Sequence, residues 1–150
     1  MAYAAVLAGL AGQPTPSLVG ERVSGPSFDG VIVAFTGKSG KGESAAELWM
    51  PTAADVRQLE AALPAYAVPQ LKRFGVTKRL GDYKRQYVGF VKGGQREIVV
   101  QFYHRTTDLV KSGKWLWQMV SVAGGGDDYL RAWYSVDKKR FTDFSVNAPE

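Results

Sequence analysis

Near Asp82 the apolar pattern of this 150-residue chain changes period, from helical spacing to a period of two. That change limits the fold to one in which a helix covers a sheet built from later hairpins. Upstream lies Trp49-Met-Pro-Thr-Ala-Ala-Asp-Val-Arg-Gln-Leu-Glu-Ala-Ala-Leu-Pro64. Thr52 can cap the first turn, Asp55 complements both the cap and the positive helix end, and Val56, Leu59 and Leu63 share one face. This predicts an amphipathic helix that Pro64 terminates, with Trp49 and Met50 at the edge of its packing. Residues 71–80 fit either a second helical stretch or an irregular connection.

Downstream, residues 83–91 and 96–104 alternate around Lys92-Gly-Gly-Gln95, a tight-turn sequence, and predict an antiparallel hairpin. Residues 115–122, 129–136 and 141–146 read as further strands, and the β-branched run at 31–35 as another. Twelve of the 18 aromatics fall between Tyr83 and Phe144, a density suited to a sheet packed against a helix. The fold class expected is α+β, with one main amphipathic helix on a curved antiparallel sheet of four to five strands. Residues 18–150 form this single domain. Residues 1–17 are an apolar segment and Pro-rich linker, too short to span a bilayer and similar to the end of a secretory signal peptide without its basic start. A short packing helix is the alternative for that segment. The expected location is periplasmic or secreted, with a cytoplasmic alternative.

With no cysteine in the chain, thiolate metal sites, cysteine nucleophiles and disulfides are excluded. The Gly-rich stretch Thr36-Gly-Lys-Ser-Gly-Lys-Gly-Glu-Ser44 fails as a phosphate loop, because Glu43 stands where the lysine should follow Gly42. Ser39 also misses the nucleophile elbow, since Lys41 occupies the second glycine position. No metal or other cofactor is expected. The single histidine, His104, could act as a general base with Asp127 or Asp128, which sit on a Gly-rich turn. Those aspartates equally suit turn chemistry.

Charge is unevenly distributed. The chain carries +5 overall, while residues 70–114 hold eleven basic and three acidic side chains, leaving the remainder net acidic. Such a surplus points to an acidic partner or a nucleic acid. Trp115 and Trp117, two apart in an expected strand, would share a face. Together with Arg85, Arg96, Tyr87 and Tyr103 they form the candidate binding set, because Trp, Tyr and Arg anchor hot spots. The leading expectation is a non-enzymatic exported domain that binds an acidic protein through an aromatic and basic sheet face. A single-stranded nucleic-acid binder is the alternative, since rings amid cations can stack bases. A small hydrolase using His104 is a third reading.

Trp49-Met-Pro-Thr-Ala-Ala-Asp-Val56, Tyr83-Lys-Arg-Gln-Tyr-Val-Gly-Phe90, Gly124-Gly-Gly-Asp-Asp-Tyr129, Tyr134-Ser-Val-Asp137 and Phe144-Ser-Val-Asn147 resemble segments of small exported bacterial α+β proteins of uncharacterised function, in the cystatin-like helix-on-sheet class. The resemblance covers roughly residues 47–148. It implies a fold and export, and it assigns no catalytic residue.

Overall fold

The computed structural model describes residues 17–35, 49–119 and 122–149. The apolar opening segment and the Gly-rich loop at 36–44 lie outside them. Strands β1 (Ser17–Gly25), β2 (Phe28–Phe35), β3 (Tyr83–Lys92), β4 (Gln95–His104), β5 (Tyr129–Ser135) and β6 (Arg140–Val146) form one six-stranded sheet in sequential order. Every neighbouring pair is antiparallel except β2 and β3, which are parallel. A parallel pair needs a crossover, and helix α1 (Ala53–Arg73) lies within it.

The sheet therefore has six strands rather than four to five, and it is not wholly antiparallel. β1 escaped the periodicity reading because Glu21, Arg22 and Ser24 are exposed around the buried Val23, so pairing with β2 holds it more than burial does. In β2, by contrast, Val31, Ile32 and Val33 are all buried, the pattern of a strand covered on both faces.

Helix α1 begins where the cap predicts. The Asp55 backbone N–H donates to Thr52 Oγ1 at 3.1 Å, and the Thr52 N–H donates to Asp55 Oδ2 at 2.9 Å. It does not end at Pro64 but continues through Pro64 and Pro69. Both prolines are exposed, so the interruption of the backbone ladder falls on the outer side, while Leu59, Leu63, Ala67 and Leu71 keep an unbroken buried stripe. Burying such leucines contributes about 1.5–3 kcal/mol each, comparable to the local cost of a proline.

The true stop is Gly75, at φ +72°, where the Val76 N–H reaches the Leu71 carbonyl at 2.8 Å and the Gly75 N–H the Lys72 carbonyl at 3.1 Å. This is a Schellman closure, with Val76 and Leu71 joined in the core beneath it. The stretch left open at 71–80 thus holds the last helical residues, an irregular connection and a 3-10 turn over Leu80–Asp82.

The stripe of α1 packs on Ile32, Tyr87, Ile98, Val100, Phe102, Leu130, Tyr134 and Phe144, forming the main core. Gly89 lets the lead-in to the helix approach β3, since a Cβ there would stand 2.5 Å from the Trp49 carbonyl oxygen. The opposite face carries a second cluster of Val31, Val33, Val88, Tyr103 and Trp115.

That second cluster corrects another expectation, because residues 115–119, the described start of the strand expected over 115–122, form a 3-10 turn and irregular backbone instead. A short helix α2 (Asp108–Lys111) and a 3-10 turn over Lys114–Leu116 fold over the sheet as a lid. The Gln86 amide Nε2 donates to the carbonyls of Trp115 at 2.6 Å and Gln118 at 2.8 Å, so a side chain satisfies groups that a neighbouring strand would otherwise pair.

Candidate functional site

Alternation along β3 turns Tyr83, Arg85 and Tyr87 toward α1, and there two candidate binding residues become structural. Arg85 Nε lies 2.7 Å from Glu60 Oε1, an ionic contact outside hydrogen-bond alignment, while Nη1 donates to the Tyr83 carbonyl at 2.8 Å. The Tyr87 hydroxyl donates to the same Glu60 oxygen at 2.6 Å. All three side chains are buried. Burial pushes the Glu60 carboxyl up, with Arg85 and the Tyr87 hydrogen bond opposing.

Tyr103 and Trp115 are buried on the other face, where the Tyr103 hydroxyl donates to Gln86 Oε1 at 2.9 Å. Trp115 is 3% exposed and Trp117 54%, so the two tryptophans do not form one wall. Arg22 and Lys84 each stand 5.6 Å from the centre of the Trp115 ring. Of the six candidates, Arg96 and Trp117 are exposed.

His104 and the two aspartates do come together. Lys78 Nζ donates to Asp127 Oδ1 at 2.5 Å and to Asp128 Oδ1 at 2.8 Å, and Asp128 Oδ1 lies 3.8 Å from His104 Nδ1. The Thr106 N–H donates to Nδ1 at 3.4 Å and its Oγ1 sits 2.7 Å away. A hydrolytic arrangement places the nucleophile on one ring nitrogen and the orienting acid on the other. Here Thr106 and Asp128 crowd the same nitrogen, and Lys78 already holds the carboxylate.

Burial first, and then Lys78, lowers the His104 pKa below its ordinary 6.5. The folded state therefore favours neutral His104, a contribution complete above 6.5 and lost as pH falls through 6.5 toward the folded value. Denaturant midpoints are expected to fall as pH drops below 6.5, and His104→Asn should flatten that step. Asp29 is held down to about 2 chiefly by Arg22, and its contribution is lost only between 3.8 and about 2, a separate window.

Four of the eleven cations of residues 70–114 are paired with acids from outside that segment. Asp127 and Asp128 take Lys78, Asp29 takes Lys84, Glu60 takes Arg85 and Asp137 takes Arg96. What the linear count missed is a cluster assembled by strand pairing. β4 pairs with both β3 and β5, with Lys92 opposite Gln95, Glu97 opposite Ser135 and Ser135 opposite Arg140. The β3–β4 and β5–β6 turns consequently emerge side by side at one end of the sheet, on strands about 5 Å apart.

Lys92, Arg96, Lys138, Lys139 and Arg140 are all exposed there. Within residues 92–96 and 136–140 the only acid is Asp137. It clamps the turns together, accepting the Arg96 backbone N–H at 2.8 Å and Nη2 at 3.0 Å, while the Val136 N–H donates to the Arg96 carbonyl at 3.0 Å. These bonds hold Asp137 below the usual carboxylate range. The Arg96 guanidinium lies 5.6 Å from the centre of the half-buried Trp49 ring, adding an aromatic neighbour. Counting the hairpin register from sequence would have brought Lys138, Lys139 and Arg140 beside Arg96.

Among the described residues no helix is long and apolar enough to cross a membrane. The chain matches no family model, and no curated protein or solved structure is significantly similar to it.

Proposed function

We propose that this protein is a non-enzymatic binding domain that engages an acidic protein partner through the basic end of its sheet, in the exported setting that its resemblance implies. The observation that carries this reading is the set of five exposed cations on two adjoining turns, with Asp137 as their sole acid within those turns. Such a cluster attracts an anionic surface and speeds encounter in a salt-dependent way. The turns are rigidly joined through Asp137, so the charges are presented in a fixed arrangement at little ordering cost.

The acidic-protein reading is favoured over single-stranded nucleic acid because a stacking platform needs several exposed rings, whereas Tyr83, Tyr87, Tyr103 and Trp115 are buried and Trp117 is the one exposed ring among the candidate binding residues. Fluorescence anisotropy with a labelled oligoglutamate peptide and an equally long oligothymidylate, at low and physiological salt, tests the choice. The peptide is expected to bind, and Lys138→Glu with Lys139→Glu to weaken it by about tenfold or more, in line with the several kcal/mol that like-charge juxtaposition costs. Peptide binding that ignores both salt and this variant contradicts the proposal. Preference for the oligothymidylate replaces it with the nucleic-acid reading.

A further inference from the structure

At the other end of β3, roughly 30 Å away along the strand, a cleft of about 490 Å³ opens between the β1–β2 turn and the 3-10 turn at Leu80–Asp82. Its walls include Ser27, Phe28, Asp29, Arg79, Asp82 and Lys84. We propose that it binds a small organic anion, a phosphate or carboxylate on a short apolar or aromatic body.

The electrostatics carry the assignment. Asp29 accepts from Arg22 Nε at 2.9 Å, from Arg22 Nη2 at 2.7 Å and from Lys84 Nζ at 2.9 Å, so one carboxylate is shared by two cations. Asp82 stands between Arg79 Nε at 3.5 Å and Arg105 Nε at 3.8 Å. Arg79 and Lys84 line the cleft beside Asp29 and Asp82, and Arg22 and Arg105, which lie outside its lining, offset part of the charge of those carboxylates, so the two lining cations remain to meet an entering anion. The Arg79 side chain is 86% exposed, and its distant contact with Asp82 leaves the guanidinium fork available for bidentate recognition of a phosphate or carboxylate.

The size agrees, in a cleft that is open to solvent and mostly polar. The volume lies in the range of small-molecule sites, and the half-buried Phe28 ring gives the cleft an apolar wall. Behind that ring stands the buried Arg85 guanidinium, 5.9 Å from its centre. Gly81 at the rim leaves the space clear, because a Cβ there would meet nothing closer than the Ser27 carbonyl oxygen at 3.5 Å. A larger side chain at that position would enter the cleft without straining the backbone.

The test titrates ¹⁵N-labelled protein with phenyl phosphate and with benzoate, following amide shifts of Ser27, Arg79, Gly81 and Lys84. Saturable shifts at these amides with either probe are expected. Arg79→Gln should weaken binding about tenfold or more by removing the charged fork, and Gly81→Leu should block it while leaving every charge in place. Lys138→Glu with Lys139→Glu should leave it unchanged, which keeps this site independent of the basic end. Absence of saturable shifts with both probes overturns the assignment, as do shifts that persist undiminished in Arg79→Gln.

Discussion

Glu60→Ala is expected to be among the most destabilising single substitutions in the molecule, costing about 3–5 kcal/mol out of a typical domain stability of about 5–15 kcal/mol. The loss does not come from a favourable ion pair, because desolvating two charges offsets much of their attraction. It comes from what remains. Without Glu60 the guanidinium of Arg85, 1% exposed between the rings of Phe28 and Phe102, has no counter-charge, and the buried Tyr87 hydroxyl loses its acceptor. Replacing both partners together, Glu60→Met with Arg85→Met, should recover the part of the loss that comes from the stranded charge, while the part that comes from the unpaired Tyr87 hydroxyl remains. Urea denaturation of the two variants checks this. A Glu60→Ala protein within about 1 kcal/mol of the parent would mean that Arg85 finds water or another acceptor, and that the helix is not locked to the sheet through this pair.

The second large effect separates two tryptophans that are neighbours in sequence. Trp115→Ala should cost about 3–5 kcal/mol by opening a cavity under the lid. It also removes the ring against which Arg22 and Lys84 lie. Trp117→Ala, at a site 54% exposed, should stay within about 0.5 kcal/mol of the parent. Trp115→Ala should further bind an apolar dye, as Val31, Val33 and Val88 become uncovered. Equal costs at the two positions would contradict the lid and revive a strand in which both rings share one face.

How far the chain could be read depended on whether local and long-range signals agreed. The β3–β4 hairpin was legible because two β-rich runs flank two glycines that adopt positive φ, and the pairing between them runs without a register shift. The start of α1 was legible because Thr52 and Asp55 form a self-contained cap. Its end was not, because Pro64 and Pro69 are local stop signals overruled by Leu63, Ala67 and Leu71 packing on the sheet. The Gly75 stop was present in the sequence but lay beyond two prolines. The Trp115-Leu-Trp117 alternation misled because Gln86, far away in sequence, satisfies the backbone that a strand would have paired.

For the site, parity in β3 correctly sets Arg85 and Tyr87 on one face, but only the tertiary structure reveals that this face meets Glu60. The basic end was hidden for the opposite reason. Its charges are split between residues 92–96 and 138–140, and a count along the chain cannot see two turns that the sheet places together.

Docking of an acidic partner on those two turns is tested by a ¹H–¹⁵N shift map of the protein titrated with oligoglutamate. Perturbations should concentrate at residues 92–96 and 136–140 and shrink with added salt. Perturbations centred instead on the exposed Trp117 and the lid, or no saturable change anywhere, would contradict it.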